Sequence, residues 1–137
     1  MKKALFIGIN DYPTAPLKGC IKDATSISTI LERNGDGSPN FSTRLITSSD
    51  KTITRSLLRE EIEKLFNGDS DIALLYFSGH GFIKSTGGYL VTTDAKKYDE
   101  GVSMDEILAI ANKSNAKNKV IILDCCHSGA MGTPRII

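Results

Sequence analysis

Two short segments hold side chains suited to nucleophilic chemistry. Ser78-Gly79-His80-Gly81 follows the apolar run Ile72–Phe77, and Asp124-Cys125-Cys126-His127-Ser128-Gly129 follows Val120–Leu123. A cysteine thiolate attacks carbonyl carbon, and a nearby imidazole takes the thiol proton. The glycines flanking His80 let the backbone bend sharply, and an exposed N–H such as that of Gly81 suits a developing oxyanion. Each residue alone has an ordinary explanation. A cysteine at a strand end is usually a small buried hydrophobe, which is the expectation for Cys20 and Cys125. A histidine in a glycine-rich turn is commonly a solvated loop residue. The two together, at the ends of two buried runs, favour catalysis. Neighbours on a strand point to opposite faces, so only one cysteine of the pair faces a shared rim. His127 is a second candidate base, but its adjacency to Cys126 makes a well-directed hydrogen bond harder, so His80 is preferred.

Such an arrangement needs elements that bring the two segments to one edge. Four short apolar runs, Ala4–Ile9, Arg44–Thr47, Ile72–Phe77 and Val120–Leu123, lack alternation and read as strands of a parallel sheet covered on both faces. Between them lie helix-like stretches. Ile21 to Arg33 carries Ala24, Ile27, Ile30 and Leu31 at helical spacing, with Asn34-Gly35 as its stop. Thr54 to Phe66 carries Leu57, Leu58, Ile62, Leu65 and Phe66, and Asn67-Gly68 ends it. Met104 to Ala111 follows Ser103, with Glu106 three residues later as a capping box. Phe82–Ile83 and Tyr89–Thr92 form a small hairpin. The alternation predicts an α/β sandwich, and in open parallel sheets ligands sit outside the carboxyl ends of the strands.

Composition bounds the rest. A chain of 137 residues, 40% of them hydrophobic, predicts one domain with a core of its own. Seventeen basic against 16 acidic residues argue against a dedicated nucleic-acid binder and a polybasic membrane-surface protein. Three cysteines, two of them vicinal, make no disulfide framework and suggest a reducing compartment. The apolar run after Lys3 is too short for a signal peptide, and no stretch approaches the roughly 18 residues of a spanning helix, so a cytoplasmic location is expected. The third position of a dinucleotide fingerprint starting at Gly79 is Lys84, not glycine, and there is no phosphate-binding loop. Cys125-Cys126-His127 cannot readily present three tetrahedral zinc ligands from consecutive positions.

The His and Cys segments resemble those of the caspase-like cysteine peptidases, most closely the metacaspase and orthocaspase branch. Ala4–Asp11 and the segment Leu17-Lys18-Gly19-Cys20-Ile21-Lys22-Asp23-Ala24 resemble that branch too, in the same order. His80 and Cys126 stand 46 positions apart, near the roughly 50 of caspases. The resemblance implies a caspase-like three-layer α/β sandwich, with a mostly parallel sheet, helices on both faces and a small hairpin. It implies Cys126 as nucleophile, His80 as base and acid, and the N–H groups of Gly81 and Cys126 as oxyanion hole. It places Asp23, Ser78 and Asp124 in the primary-specificity pocket. Carboxylates there favour a cationic side chain, so cleavage of polypeptides after Arg or Lys is expected.

Many relatives are calcium-activated, and the matching places offer Asp94, Asp105 and Glu106, with no acid in Ser128–Thr133. That set is incomplete for a hard cation, so the expectation is no cofactor, with calcium activation as the alternative. The chain stops 11 residues after Cys126. Residues 1–137 are therefore expected to be a large-subunit (p20-type) domain, with a small-subunit (p10-like) chain or a second copy as partner. The rival reading is a caspase-fold interaction or regulatory module whose dyad is not productive.

Overall fold

The computed structural model describes residues 1–125 and the backbone of residues 135–136. Its elements are β1 (Lys2–Gly8), α1 (Cys20–Glu32), β2 (Ser42–Thr47), α2 (Arg55–Phe66), β3 (Ile72–Gly79), β4 (Gly81–Lys84), β5 (Gly87–Lys96), β6 (Asp99–Ser103), α3 (Met104–Lys113), β7 (Asn118–Cys125) and β8 (Arg135–Ile136). The main sheet runs β2-β1-β3-β7-β8, parallel except at β8, which pairs antiparallel with Ile122 and Leu123. A smaller antiparallel sheet runs β4-β5-β6.

Strand periodicity divides the core into two layers. Ala4 and Phe6 of β1, with Leu74 and Tyr76 of β3, meet Ala24 of α1 on one face. Leu5 and Ile7, with Ala73, Leu75 and Phe77, meet Leu58 and Ile62 of α2 and Ile107 of α3 on the other. Both faces are covered, which is why these runs are apolar without alternation. Each fully buried Leu, Ile or Phe contributes roughly 1.5–3 kcal/mol.

The helix starts follow from local chemistry. Thr54 caps α2 by accepting from Leu57 N–H, and Ser103 with Glu106 forms the expected capping box on α3. The N-cap of α1 is Gly19, which has no capping side chain; Asn10 Oδ1, reaching across from the β1 loop, accepts from Cys20 N and Ile21 N instead. This supplies orphan donors of the first turn from a distance. α1 also crosses β1 closely at Gly8, where a Cβ would lie 2.8 Å from Cys20 O and 2.9 Å from Ile21 Cα. Neither contact is with a flexible side chain. Gly8→Ala is expected to lower unfolding free energy by about 1–3 kcal/mol through overpacking, measured as a lower urea midpoint at unchanged slope.

Two strands, β6 and β8, go beyond the expectation. The predicted hairpin is the first two strands of a three-stranded sheet, with β6 added. Within Asp99-Glu100-Gly101-Val102-Ser103 only Val102 is a buried hydrophobic residue, so no apolar run marks the strand. Gly101 allows the close pairing with β5, since a Cβ there would collide with the Leu90 carbonyl.

Candidate active site

The chain leaves β1 into α1 on one face of the sheet, and α2, packed on the other face, leads into β3. Neighbouring strands whose connections diverge in this way leave a crevice at their carboxyl ends. Three segments meet there: residues 9–19 after β1, residues 79–81 after β3, and the end of β7. Gly8, Ser78 and Asp124 stand level across the three strands, and Gly79 stands opposite Cys125.

His80 lies between β3 and β4, half-buried. Its Nε2 is 2.6 Å from the carbonyl oxygen of Ala15. A carbonyl can only accept, so Nε2 carries the hydrogen, and in the neutral ring Nδ1 holds the lone pair. Ala15 sits in the left-handed region (φ 58°), a conformation that costs a non-glycine residue energy and is held here by its surroundings. The loop is tied down on both sides of Tyr12. Asn10 O accepts from Tyr12 N and Leu17 N, and Ser48 Oγ, just beyond β2, accepts from Asn10 N and donates to Asp11 Oδ2.

The three expected specificity residues converge on a fourth, Tyr76. Its buried hydroxyl donates to Asp124 Oδ2 at 3.0 Å. Burial first, and the charge of Asp124 second, push the phenol well above the ordinary tyrosine range, with Asp23 adding to the same effect. Tyr76 is therefore a neutral donor. Ser78 Oγ is fully buried and makes no hydrogen bond of good geometry among the described residues, although it lies near enough to the Tyr76 hydroxyl to oppose that shift slightly. Asp23 is exposed in the first turn of α1, and Asp124 is half-buried. Cys20 and Cys125 are buried, as expected for small hydrophobes. Gly81 opens β4 opposite Leu90. Cys126 and His127 lie outside the described residues.

Tyr12, Ala15 and Tyr76 were not visible as site residues in the sequence. Ala15 acts through its backbone, which leaves no side-chain signal. Tyr76 sits inside an apolar strand, and the available hint was its position two residues before Ser78, on the same strand face.

Two of the candidate calcium residues, Asp94 and Glu106, are engaged by other groups of the protein. Among the described residues no three His, Cys, Asp or Glu side chains group for a metal. Asp94 Oδ1 accepts from Arg55 N and Thr92 Oγ1, while Glu106 Oε1 pairs with Arg55 at 2.7 Å and Arg59 at 2.9 Å. A carboxylate so engaged has few lone pairs left for a hard cation. No helix among the described residues is long and apolar enough to cross a membrane.

The comparisons agree with this architecture. The chain is 28% identical over 149 aligned positions to Metacaspase-3 of Trypanosoma cruzi (strain CL Brener), an alignment spanning 94% of this chain and 40% of that protein. A crystal structure of a Geobacter sulfurreducens protein superposes with a TM-score of 0.71 at 24% identity, over 95% of this chain and 52% of the other, a likeness of fold. The chain thus spans about two fifths to one half the length of these proteins. The family model described as "Caspase domain" matches residues 1–135, and on that match the chain belongs to the caspase-domain peptidase family.

Proposed function

We propose that this chain carries the catalytic residues of a cysteine endopeptidase that cleaves polypeptides after Arg or Lys. The observation that carries the reading is the state of His80: a ring whose Nε2–H is held by Ala15 O, on the strand end whose preceding residue, Gly79, stands opposite Cys125. That bond assigns the basic lone pair to Nδ1, as a general base requires. Cys126 directly follows Cys125 in the chain and is the nucleophile in this reading.

Nδ1 of His80 takes the Cys126 thiol proton as sulfur attacks the scissile carbonyl. The C=O electron pair moves to oxygen, and the N–H groups of Gly81 and Cys126 stabilise that oxyanion. Collapse breaks the C–N bond, and the His80 imidazolium gives its proton to the departing amine, leaving a thioester on Cys126. Water then loses a proton to His80 and adds to the thioester. Collapse expels the thiolate, which recovers the proton, and the new carboxyl terminus is released.

Support for a cationic side chain before the scissile bond comes from the group around Tyr76. Two carboxylates, Asp23 and Asp124, offer acceptors to a guanidinium or ammonium, and Tyr76 fixes Asp124 by donating to one oxygen. An acidic side chain in the same place meets like charge. The test is hydrolysis of matched fluorogenic peptides ending in Arg, Lys or Asp. Arg and Lys reporters are expected to be cleaved and the Asp reporter left intact; cleavage after Asp alone refutes the assignment.

A further inference from the structure

His80 and Val91 stand opposite each other one step beyond the Gly81–Leu90 pair of β4 and β5. An antiparallel pair of this kind exchanges two direct backbone hydrogen bonds. Here one is direct, Val91 N to His80 O at 3.0 Å. The other passes through a side chain: His80 N donates to Tyr12 Oη at 2.9 Å, and Tyr12 Oη donates to Val91 O at 2.9 Å. The phenol thus stands in the ladder, and the His80 backbone is held off β5 by its width. The Tyr12 ring lies against the imidazole, with centroids 4.5 Å apart and planes at 49°. Tyr12 is 6% exposed, so the hydroxyl has little access to water. Gly79 makes room for it, because a Cβ there would press on Tyr12 Oη and on the Phe77 ring.

We infer that Tyr12 is a positioning residue for His80: its hydroxyl, inserted between the His80 N–H and the Val91 carbonyl, sets the distance of the histidine from β5 and keeps Nε2 in register with Ala15. This rests on the proposed role of His80 as base. Without the hydroxyl the two backbone groups are left to pair directly. That closure draws His80 toward β5 and away from the Ala15 carbonyl, whose loop is tied down separately where Leu17 N donates to Asn10 O and Asn10 N to Ser48 Oγ. A general base misplaced by about 1 Å loses on the order of 10²-fold in rate. Tyr12→Phe keeps the ring contact and removes only the bridge.

The experiment compares Tyr12→Phe with the wild-type chain in two readouts. Steady-state hydrolysis of an Arg reporter is expected to show kcat lower by about 10- to 100-fold with KM within about twofold. Nitrogen-15 NMR of the His80 ring, which requires no turnover, is expected to show one Nε2–H tautomer in wild type and a mixture of tautomers in the variant. Unchanged kcat with unchanged ring shifts overturns the inference, as does a rise in KM alone. Should the variant lose its thermal transition, hydrogen exchange of the wild-type His80 amide replaces it. Protection supports the bridge, and exchange at the unstructured rate overturns it. A His80→Ala chain that stays active sinks the proposed dyad instead, and the tautomer readout keeps the two failures apart.

Discussion

Cys126→Ala and His80→Ala are each expected to lower kcat/KM on an Arg reporter by roughly 10³-fold or more, and the double variant is expected to be little worse than either single one. Groups that act as one unit are strongly non-additive, because removing either leaves the other without a task. The expectation for His80 follows from the Ala15 contact, which directs Nε2 at a carbonyl and leaves Nδ1 as the basic atom. Initial rates with each variant at matched folded concentration provide the measurement. His127→Ala is the control. Loss of activity there, with His80→Ala still active, transfers the role of base to His127.

The second large effect concerns specificity. Asp124→Asn is expected to lower kcat/KM on Arg reporters by about 10²-fold, since breaking a desolvated, hydrogen-bonded charge pair costs about 2–5 kcal/mol. The fold should tolerate it. The amide oxygen of Asn can still accept from Tyr76 Oη, which now donates to Asp124 at 3.0 Å. Removing the charge withdraws the second cause of the raised Tyr76 pKa, while burial, the first cause, stays. The phenol therefore remains a neutral donor in the variant. Thermal melting checks stability, and the ratio of Arg to uncharged reporter rates checks specificity. An unchanged ratio removes Asp124 from the specificity pocket.

The scaffold was readable in the sequence because its strands are buried on both faces. Ala4–Ile9 and Ile72–Phe77 must satisfy α1 on one side and α2 with α3 on the other, and that demand writes an apolar run. The capping box at Ser103 and Glu106 was equally plain, since it is local side-chain chemistry. β6 was not, because it packs little beyond Val102 and holds its place through backbone pairing. His80 and Asp124 stood out as chemically capable side chains at strand ends. The groups that orient them did not. Tyr12 and Ala15 lie in the loop between β1 and α1, which carries Pro13 and Pro16 and has no periodicity, and Ala15 contributes only a carbonyl. Their roles depend on a contact made 65 to 79 residues away along the chain. Composition and spacing carry no trace of such contacts.

The central claim is that Cys126 is the reactive thiol. It is tested most directly by intact-mass analysis and peptide mapping after treatment with an Arg-based electrophilic peptide. The expected result is a single adduct on Cys126, absent from Cys126→Ala and formed more slowly in His80→Ala. The buried Cys20 and Cys125 should stay unmodified in the folded chain. An adduct on either of those two, or no adduct on a folded chain, would contradict the account.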